Sequence, residues 1–345
     1  MTKLADSLLA WYDTNARELP WRTSPSDRAK GLRPDPYHVW LSEIMLQQTT
    51  VIVVRDYFEK FITTWPRVED LADAIDEDVM SAWAGLGYYA RARNLLKCAR
   101  QVAAAGGQFP QDEVELLALP GIGPYTAAAI SAIAFDRPAN VVDGNVERVI
   151  SRVEAITQEL PSSRPAVREA AGQHAPEFRP GDYAQALMDL GSGICTPRSP
   201  KCEICPVAHL CEAERQGIQE TLPRKAPKRK KPTRRGIAWV ARTADGAWLL
   251  ETRPEKGLLG GTRGWPGTEW TEKEPVGDPP AKADWIEAGL VRHTFTHFHL
   301  ELEVRTGYIN TAQPLCEGRC LVHDLDPDHL PSVMKKAFER AQGAI

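Results

Sequence analysis

Two carboxylates in this sequence stand in settings that suit acid–base chemistry. Glu43 is the only acidic residue in the apolar segment 37–50, YHVWLSEIMLQQTT, and apolar surroundings raise a carboxyl pKa toward that of a general acid. Asp143 precedes Gly144 and Asn145 at the start of an amphipathic segment. Glycosidic bond cleavage commonly pairs a protonated carboxyl group with an ionised one. Two ordinary alternatives stay open: Glu43 on the solvated face of a helix, and Asp143 as a turn residue or helix N-cap.

A cluster of thiols is the second chemical feature. Four of the seven cysteines fall within seventeen residues, at Cys195, Cys202, Cys205 and Cys211. In a chain that we expect to be intracellular, this clustering predicts metal binding rather than disulfides. Four thiolates can hold tetrahedral zinc or a [4Fe–4S] cluster, and spacing alone favours neither. We interpret the other three cysteines as structural: Cys98, Cys316 and Cys320.

The segment 119–123, LPGIG, predicts a tight hairpin that opens a helix. Gly121 and Gly123 allow left-handed backbone angles and close approach of another chain, and Pro124 suits the first helical turn. The free N–H groups of such a helix start can bind a phosphate. On this motif alone, an ordinary turn between packed helices is an equally good interpretation.

Helices must position these groups, because the first 215 residues show helical periodicity and no convincing strand. We expect a polar loop at 23–36. The predicted helices are 4–18, 37–61, 68–75, 77–84, 90–105, 124–135, 146–156, 165–175 and 183–192.

The pattern changes after a basic run, 224–235, which carries eight basic residues and no acidic one. Strands are predicted at 236–242, 247–252 and 299–309, with a closing helix at 331–341. The sequence therefore predicts a helical domain over 1–215, a basic linker over 216–235 and a smaller α/β domain over 236–345.

Composition sets broad limits. The net charge of −4 argues on its own against nucleic-acid binding. Acidic and basic residues are concentrated in different parts of the sequence, however, so the net charge excludes few functions. The sequence has no apolar run of membrane-spanning length, and its start looks like a charged amphipathic helix rather than a signal peptide. We expect a monomer that does not bind membranes and lies in the cytoplasm, associated with the nucleoid.

The motifs together resemble a known family. LPGIGPYTA followed by VDGNVERV resembles the helix-hairpin-helix DNA glycosylases, which include endonuclease III. With SEIMLQQT and GLGYYARARNL added, the sequence resembles the MutY-type adenine DNA glycosylases, which remove adenine mispaired with 8-oxoguanine. The resemblance implies a mainly α helix-hairpin-helix domain with a [4Fe–4S] cluster loop and double-stranded DNA carrying 8-oxoguanine:adenine or G:A mispairs as partner.

The resemblance also implies roles for individual residues. Glu43 would protonate the adenine and handle the water, and Asp143 would stabilise the cationic sugar, with Tyr125 and Asn145 in support. Endonuclease III-type enzymes carry a lysine nucleophile where this sequence has Tyr125, so a monofunctional enzyme is implied. The residues implied to contact DNA in this domain are Gln48, Leu86, Tyr88, Gly121 and Gly123. Arg33, in the long 23–36 loop, is a candidate for the adenine pocket.

The C-terminal domain resembles the Nudix-like domain of the same family through GLLGGTRGWPG and VRHTFTHFHLELEV. No Arg-Glu-x-x-Glu-Glu run for Mg²⁺ is present, so recognition rather than hydrolysis is implied. Phe295, Thr296 and His297 stand where the family has a Phe-Ser-His loop that senses 8-oxoguanine. The alternatives are a glycosylase that excises thymine or another base, and a non-catalytic lesion-binding protein.

Overall fold

The computed structural model describes residues 3–227, 230–254, 257–310 and 318–344. The chain forms two compact units, one of residues 1–82 and 91–227 and the other of residues 83–90 and 228–345. The predicted linker 216–235 is shorter than expected. Leu160 N donates to Arg224 O at 2.9 Å, which ties this stretch to the first unit, and the first strand already begins at Thr233.

The first unit is helical, as predicted. Three short 3₁₀ turns lie near the end of the unit, two before its last helix at Cys202–Ile204 and Ala208–Leu210 and one after it at Gln219–Thr221. The α-helices are α1 Lys3–Asn15, α2 Pro25–Ala29, α3 Pro36–Met45, α4 Val51–Thr64, α5 Val68–Ala72, α6 Asp76–Ala82, α7 Ala90–Ala104, α8 Glu113–Leu117, α9 Pro124–Phe135, α10 Gly144–Val153, α11 Arg164–His174, α12 Pro180–Gly193 and α13 Glu212–Arg215.

Helices α9 and α12 form the centre of this unit. Every residue of α9 from Thr126 to Ala134 is buried, and the helix packs on α3 and α12. Gly181 makes the close approach possible, because a Cβ there would lie 2.4 Å from Ala132 O. A helix that is buried on all sides from Thr126 onward is fixed in the core, while its first residue, Pro124, stays exposed after the 119–123 hairpin.

The prediction of one helix over 37–61 is wrong. The chain leaves the helix after Met45 and begins α4 at Val51, with Gln48 in the left-handed region at φ 59°. Arg91 Nη1 donates to Gln47 O at 2.6 Å and to Ile44 O at 3.0 Å. These bonds satisfy carbonyls that the helix end leaves open, and they come from a residue far along the chain.

The second unit has a mixed sheet of six strands. The central pair is parallel, from Thr233↔His299 to Thr243↔Ile309, and all other pairs are antiparallel. The strand order is β3-β2-β1-β5-β4, with β6 also paired to β2. The strands are β1 Thr233–Thr243, β2 Trp248–Thr252, β3 Arg263–Gly264, β4 Ile286–Thr294, β5 His299–Ile309 and β6 Arg319–Val322.

A closing helix, α14 Ser332–Gln342, covers this sheet. Trp265 and Phe338 stack with ring centroids 5.9 Å apart, and Trp265 Nε1 donates to Met334 O at 2.8 Å. The predicted strands and closing helix are confirmed, whereas β3, β4 and β6 were not predicted. Cys98 and Cys320 are free thiols, and burial raises the pKa of Cys98 to about 12. Cys316 lies outside the described residues.

Within the described part of the chain, no helix has both the length and the apolar character needed to cross a membrane.

Candidate functional site

Glu43 lies inside the protein rather than on a solvated helix face. Asp35 caps α3 through a 2.8 Å bond from Tyr37 N, and the helix then carries Glu43 inward, where it is 7% exposed. Burial raises the pKa of Glu43 to about 7, and the nearby Asp143 adds to the rise. Tyr125 Oη donates to Glu43 Oε2 at 2.8 Å, which opposes it. A carboxyl group with this pKa can hold and release a proton near neutral pH.

Asp143 is the N-cap of α10 and also faces the same cavity. Its Oδ1 accepts hydrogen bonds from Val146 N at 2.7 Å and Asn145 N at 2.9 Å, and Asn145 Nδ2 donates to Oδ2 at 2.9 Å. The cap interpretation is confirmed, and the functional one stays a prediction with which the cap is compatible, because the cap fixes the carboxylate and a helix N-terminus stabilises its charge.

A cavity of about 540 Å³ joins the predicted catalytic residues. Glu43, Tyr125, Asp143 and Asn145 all line it, although they come from three helices and are up to a hundred residues apart in the sequence. This volume is in the range of small-molecule sites in proteins. Gln48 lies at its rim, exposed to solvent.

Several residues of this cavity were not predicted from the sequence. Arg17 and Arg22 line it, and Asp189 holds both: Arg17 Nε donates to Oδ1 at 2.5 Å and Arg22 Nη1 to Oδ2 at 2.8 Å. Gln185, 2% exposed, adds an amide to the wall. The sequence around Arg22, LPWR at residues 19–22, predicts only the end of a helix, because no local signal links it to Asp189.

Two predicted residues lie elsewhere. Arg33 lines another cavity, where its guanidinium is 3.5 Å from Asp136 and 66% exposed, so its assignment to the adenine pocket is wrong. Leu86 is only 5% exposed because the 83–86 turn directs it inward. The DNA contact of Leu86 stays a prediction, with the side chain buried in the free protein.

The predicted hairpin joins α8 to α9. Gly121 has φ 78°, and a Cβ there would lie 2.8 Å from Asn94 Cβ, so both the backbone and the neighbouring α7 require glycine. Gly123 is the N-cap of α9, and a Cβ there would meet nothing within 4 Å. The start of α9 is therefore open to a ligand that binds main-chain N–H groups.

Two of the residues implied to contact DNA share a strained backbone. Gln48 has φ 59° and Tyr88 has φ 50°, and both side chains are exposed. Non-glycine residues in the left-handed region are uncommon and concentrate at functional sites. In the second unit, Tyr88 Oη and Thr296 Oγ1 lie 3.3 Å apart, so two residues predicted to contact DNA are brought together there.

The four clustered thiols line one small cavity with apolar neighbours such as Val149, Ile194 and Val207. Burial raises the pKa of Cys205 to about 11 and also raises the pKa of Cys202 and Cys211. Thiols held together in an apolar cavity fit a group that binds them as thiolates and so offsets this burial. Among the described residues, no group of three or more His, Cys, Asp or Glu is arranged to hold a single metal ion.

Two buried arginines of α10 bond to the cysteine loop. Arg152 Nη1 donates to Cys195 Sγ at 3.1 Å and to Thr196 O at 2.8 Å. Arg148 Nε donates to Cys195 O at 2.7 Å, and its Nη2 donates to Asn145 Oδ1 at 2.9 Å. One guanidinium therefore connects the first cysteine to the amide that holds Asp143. The sequence VDGNVERVISRV gave no sign of this connection.

The loop at residues 295–298, here called the 295–298 loop, joins β4 to β5 in the second unit. Thr296 and His297 are exposed, and Phe295 is half-buried against Phe298 with ring centroids 4.9 Å apart. The loop thus exposes a hydroxyl and an imidazole next to packed phenylalanine rings. These groups can hydrogen-bond an exposed partner.

Known families match three parts of the chain. Residues 41–173 match the HhH-GPD superfamily of base excision DNA repair proteins, residues 195–211 match the iron-sulfur binding domain of endonuclease III, and residues 237–340 match the NUDIX domain. The predicted fold, a helix-hairpin-helix domain with an iron–sulfur loop and a Nudix-like domain, is confirmed.

Solved structures agree with the fold of the first domain. A thermostable thymine-DNA glycosylase has a TM-score of 0.54 at 32% identity, over 61% of this chain and 95% of that chain. A trapped endonuclease III–DNA covalent intermediate has a TM-score of 0.51 at 23% identity, over 62% of this chain and 95% of that chain.

The similar sequences are adenine DNA glycosylases. One from Homo sapiens is 37% identical over 88% of this chain and 66% of its own length. The chain spans from 42% to 66% of the mammalian and plant relatives. One from Buchnera aphidicola subsp. Schizaphis graminum is 32% identical over 86% of this chain and 84% of its own length. The chain belongs to the adenine DNA glycosylase family of the HhH-GPD superfamily.

Proposed function

We propose that this protein is a monofunctional DNA glycosylase that excises adenine from 8-oxoguanine:adenine and G:A mispairs. The observation that carries the proposal is the pair of carboxyl groups in one cavity. Glu43 has a pKa of about 7, and Asp143 is held by three hydrogen bonds. An acid beside a fixed carboxylate is the arrangement needed to cleave a glycosidic bond.

In the proposed reaction, Glu43 gives its proton to N7 of an adenine that has been flipped into the cavity. The bond between the sugar C1′ and adenine N9 then breaks, and its electron pair leaves with the base. Asp143 stabilises the oxocarbenium ion that remains. The ionised Glu43 next accepts a proton from the water that attacks C1′, which restores the acid.

Tyr125 supports the monofunctional part of the proposal. It stands at the position of the lysine nucleophile in endonuclease III-type enzymes and has no amine to form a Schiff base. Its hydroxyl instead donates to Glu43 Oε2 at 2.8 Å and orients the acid. Water is therefore the nucleophile that we propose.

The DNA contacts are proposed from the exposed residues. Gln48 and Tyr88 would fill the gap that a flipped base leaves, since planar or amide side chains offset part of the lost stacking. The open start of α9, after Gly121 and Gly123, would bind a phosphate. Of the basic residues that the structure describes in the 224–235 run, Arg224, Lys225 and Lys230 are exposed and would contact further phosphates.

We propose a [4Fe–4S] cluster as the group that the four cysteines hold. The ligands would be Cys195, Cys202, Cys205 and Cys211, whose cavity suits a thiolate-bound group. When bound, the cluster supplies a rigid fold for the 195–211 loop. Arg198 and Lys201 are exposed on that loop and would then face DNA phosphates. Absorbance near ~400 nm with iron by elemental analysis would support this, whereas zinc alone would contradict it.

The Nudix-like domain would recognise 8-oxoguanine through Phe295, Thr296 and His297. It lacks the Mg²⁺-binding box of Nudix hydrolases, so we propose recognition without hydrolysis. Thr296 keeps the hydroxyl of the family's serine and adds a methyl group.

The test is single-turnover excision on duplexes with 8-oxoguanine:A, G:A and G:T pairs, with and without alkali. We expect the adenine strands to be cleaved only after alkali treatment, with the 8-oxoguanine duplex fastest. Strand scission without alkali would contradict the monofunctional mechanism.

A second candidate is excision of thymine from G:T mispairs. The similarity to a solved thymine-DNA glycosylase at 32% identity favours including it. Cleavage of the G:T duplex alone would establish this candidate and reject adenine excision. Duplex binding without any cleavage would instead support a non-catalytic lesion-binding protein, an outcome that the carboxylate pair makes unexpected.

A further inference from the structure

We propose that Lys231 is a positioning residue for the 295–298 loop and so contributes to the choice of the base opposite adenine. The inference rests on the proposed function and deepens it. Lys231 belongs to the basic run 224–235, for which the sequence predicts phosphate contacts. The structure gives it a partner within the second unit: Lys231 Nζ donates to Phe295 O at 2.9 Å.

The main chain next to Lys231 is also hydrogen-bonded to the residue that follows the loop. His299 N donates to Pro232 O at 2.9 Å, which pairs the start of β5 with the residue after Lys231. Phe295 N donates to Phe298 O at 2.9 Å and closes the loop. The lysine therefore approaches from a segment that is already held against the loop.

The carbonyl that accepts the lysine hydrogen bond belongs to the peptide unit next to the exposed residues of the loop. Phe295 O belongs to the peptide unit that joins Phe295 to Thr296, and this unit is planar. A charge-assisted hydrogen bond to that oxygen holds the plane, and with it ψ of Phe295 and φ of Thr296. The direction of the Thr296 Cα–Cβ bond, from which the hydroxyl extends, follows from these two angles.

The Phe295 ring is held independently of the carbonyl. It packs on Phe298, on Trp270 at 5.6 Å and on His293 at 4.6 Å between ring centroids. With the Phe295 ring fixed on one side and the Thr296 hydroxyl 3.3 Å from Tyr88 Oη on the other, the lysine contact is the restraint that acts directly on the carbonyl of the peptide between Phe295 and Thr296. Loss of Lys231 should loosen this peptide and leave the aromatic base in place.

If Lys231 positions the loop, the expected result differs from that of a lysine that only contacts DNA phosphates. A lysine that only attracts DNA phosphates contributes equally to every duplex. A lysine that orients Thr296 and His297 contributes more to the duplex whose opposite base these residues read. The ratio of excision rates for 8-oxoguanine:A and G:A duplexes separates the two.

The matched control is Lys230, the adjacent exposed lysine of the same run. In the part of the chain that the structure describes, no hydrogen bond joins Lys230 to the 295–298 loop. Lys230→Met therefore removes the same charge without removing the contact, and Lys231→Arg keeps a charged donor. All variants are made in the full chain with its metal cofactor loaded.

We expect Lys231→Met to reduce the preference for 8-oxoguanine:A over G:A about three- to tenfold, the net scale of one solvent-exposed hydrogen bond. Lys230→Met should slow both duplexes alike, and Lys231→Arg should recover most of the preference. Equal loss of preference in both methionine variants, or none in either, would overturn the proposal.

Hydrogen–deuterium exchange gives a readout that does not need activity. Lys231→Met should speed exchange in peptides that contain the amides of Phe295 and His299, and Lys230→Met should leave them unchanged. If the wild-type chain excised no adenine but the exchange result held, the proposed function would fail while the positioning contact stood. Unchanged exchange in Lys231→Met would overturn the contact itself.

Discussion

The catalytic cavity and the 295–298 loop hold their polar groups in opposite ways. In the cavity, Glu43 is 7% exposed and Asp143 receives three hydrogen bonds from its own helix start. In the loop, Thr296 and His297 are exposed on a base of packed rings. One region removes its groups from water, and the other presents them to it.

The difference agrees with the role proposed for each region. A general acid that works near neutral pH needs burial, because burial is what raises the pKa of Glu43 to about 7. A group that reads a base must be exposed in the free protein, so its orientation has to come from the backbone and its supports. Changes in the cavity should therefore alter the rate on every substrate, and changes in the loop should alter the preference among substrates.

The largest effect is expected from Asp143→Asn. The asparagine can keep the α10 cap but loses the charge that stabilises the oxocarbenium ion, so single-turnover excision should fall about 10³-fold or more. Duplex affinity, measured by gel shift or anisotropy, should stay near that of the wild type.

Asp112→Asn is the matched control for this variant. Asp112 caps α8 by accepting a bond from Val114 N at 2.9 Å, and it does not line the cavity. Its rate should be close to that of the wild type. A rate for Asp143→Asn within tenfold of wild type would remove the charge from the mechanism.

Glu43→Gln should lower excision by about 10²- to 10³-fold, because the amide cannot transfer the proton. The wild-type rate should fall as pH rises through about 7, where Glu43 loses its proton. The variant should lack this limb. A wild-type rate that is flat from pH 6 to pH 8 would contradict the role of Glu43 as acid.

The same substitution should stabilise the fold at high pH. The folded chain holds the Glu43 proton up to about pH 7, whereas the ordinary pKa is 4.5, so the folded state binds more protons between these values. The free energy of unfolding contributed by this group therefore falls as pH rises from 4.5 to 7 and stays low above it, by up to about 3 kcal/mol. Glu43→Gln should remove that loss, which thermal melts at pH 5 and pH 8 would measure.

Tyr125→Phe should have a smaller effect, about three- to tenfold on the rate, since one hydrogen bond that orients Glu43 is lost. The Tyr125 bond lowers the pKa of Glu43, so its removal should move the falling limb of the pH–rate profile to higher pH. Tyr183→Phe is the control, because the buried Tyr183 hydroxyl has no hydrogen-bond partner among the described residues. A limb that moved to lower pH would contradict this account.

Elements whose bounds depend on local sequence were predicted, whereas those that depend on distant residues were not. Helix α9 and strand β5 have the predicted bounds, 124–135 and 299–309, because their local periodicity and end signals agree with their environment. The break at 46–50 was missed, since it depends on Arg91, which is distant in the sequence. Local pattern fixes an element only where tertiary contacts do not override it.

The site divides in the same manner. A charge in an apolar run, an Asp-Gly turn and a thiol cluster are local signals that single out Glu43, Asp143 and the four cysteines, but the catalytic roles of Glu43 and Asp143 came from the resemblance to the family and stay predictions. Arg17 and Arg22 were missed because their position comes from Asp189, at the other end of the helical unit. The wrong placement of Arg33 has the same origin, since its partner Asp136 is fixed by α9 and not by the 23–36 loop.

The smallest effect, and the sharpest test of the loop, is expected from Thr296→Ala. The Thr296 hydroxyl is exposed and lies 3.3 Å from Tyr88 Oη, so its loss removes one neutral hydrogen bond at most in the free protein. The preference for 8-oxoguanine:A over G:A should fall about two- to fivefold. The G:A rate itself should hardly change, because no group of the cavity is altered.

Thr296→Ser, which keeps the hydroxyl, should retain the preference. If Thr296→Ala slowed both duplexes equally, the loop would act on catalysis rather than on choice of substrate, and the division of labour between the two regions would not hold.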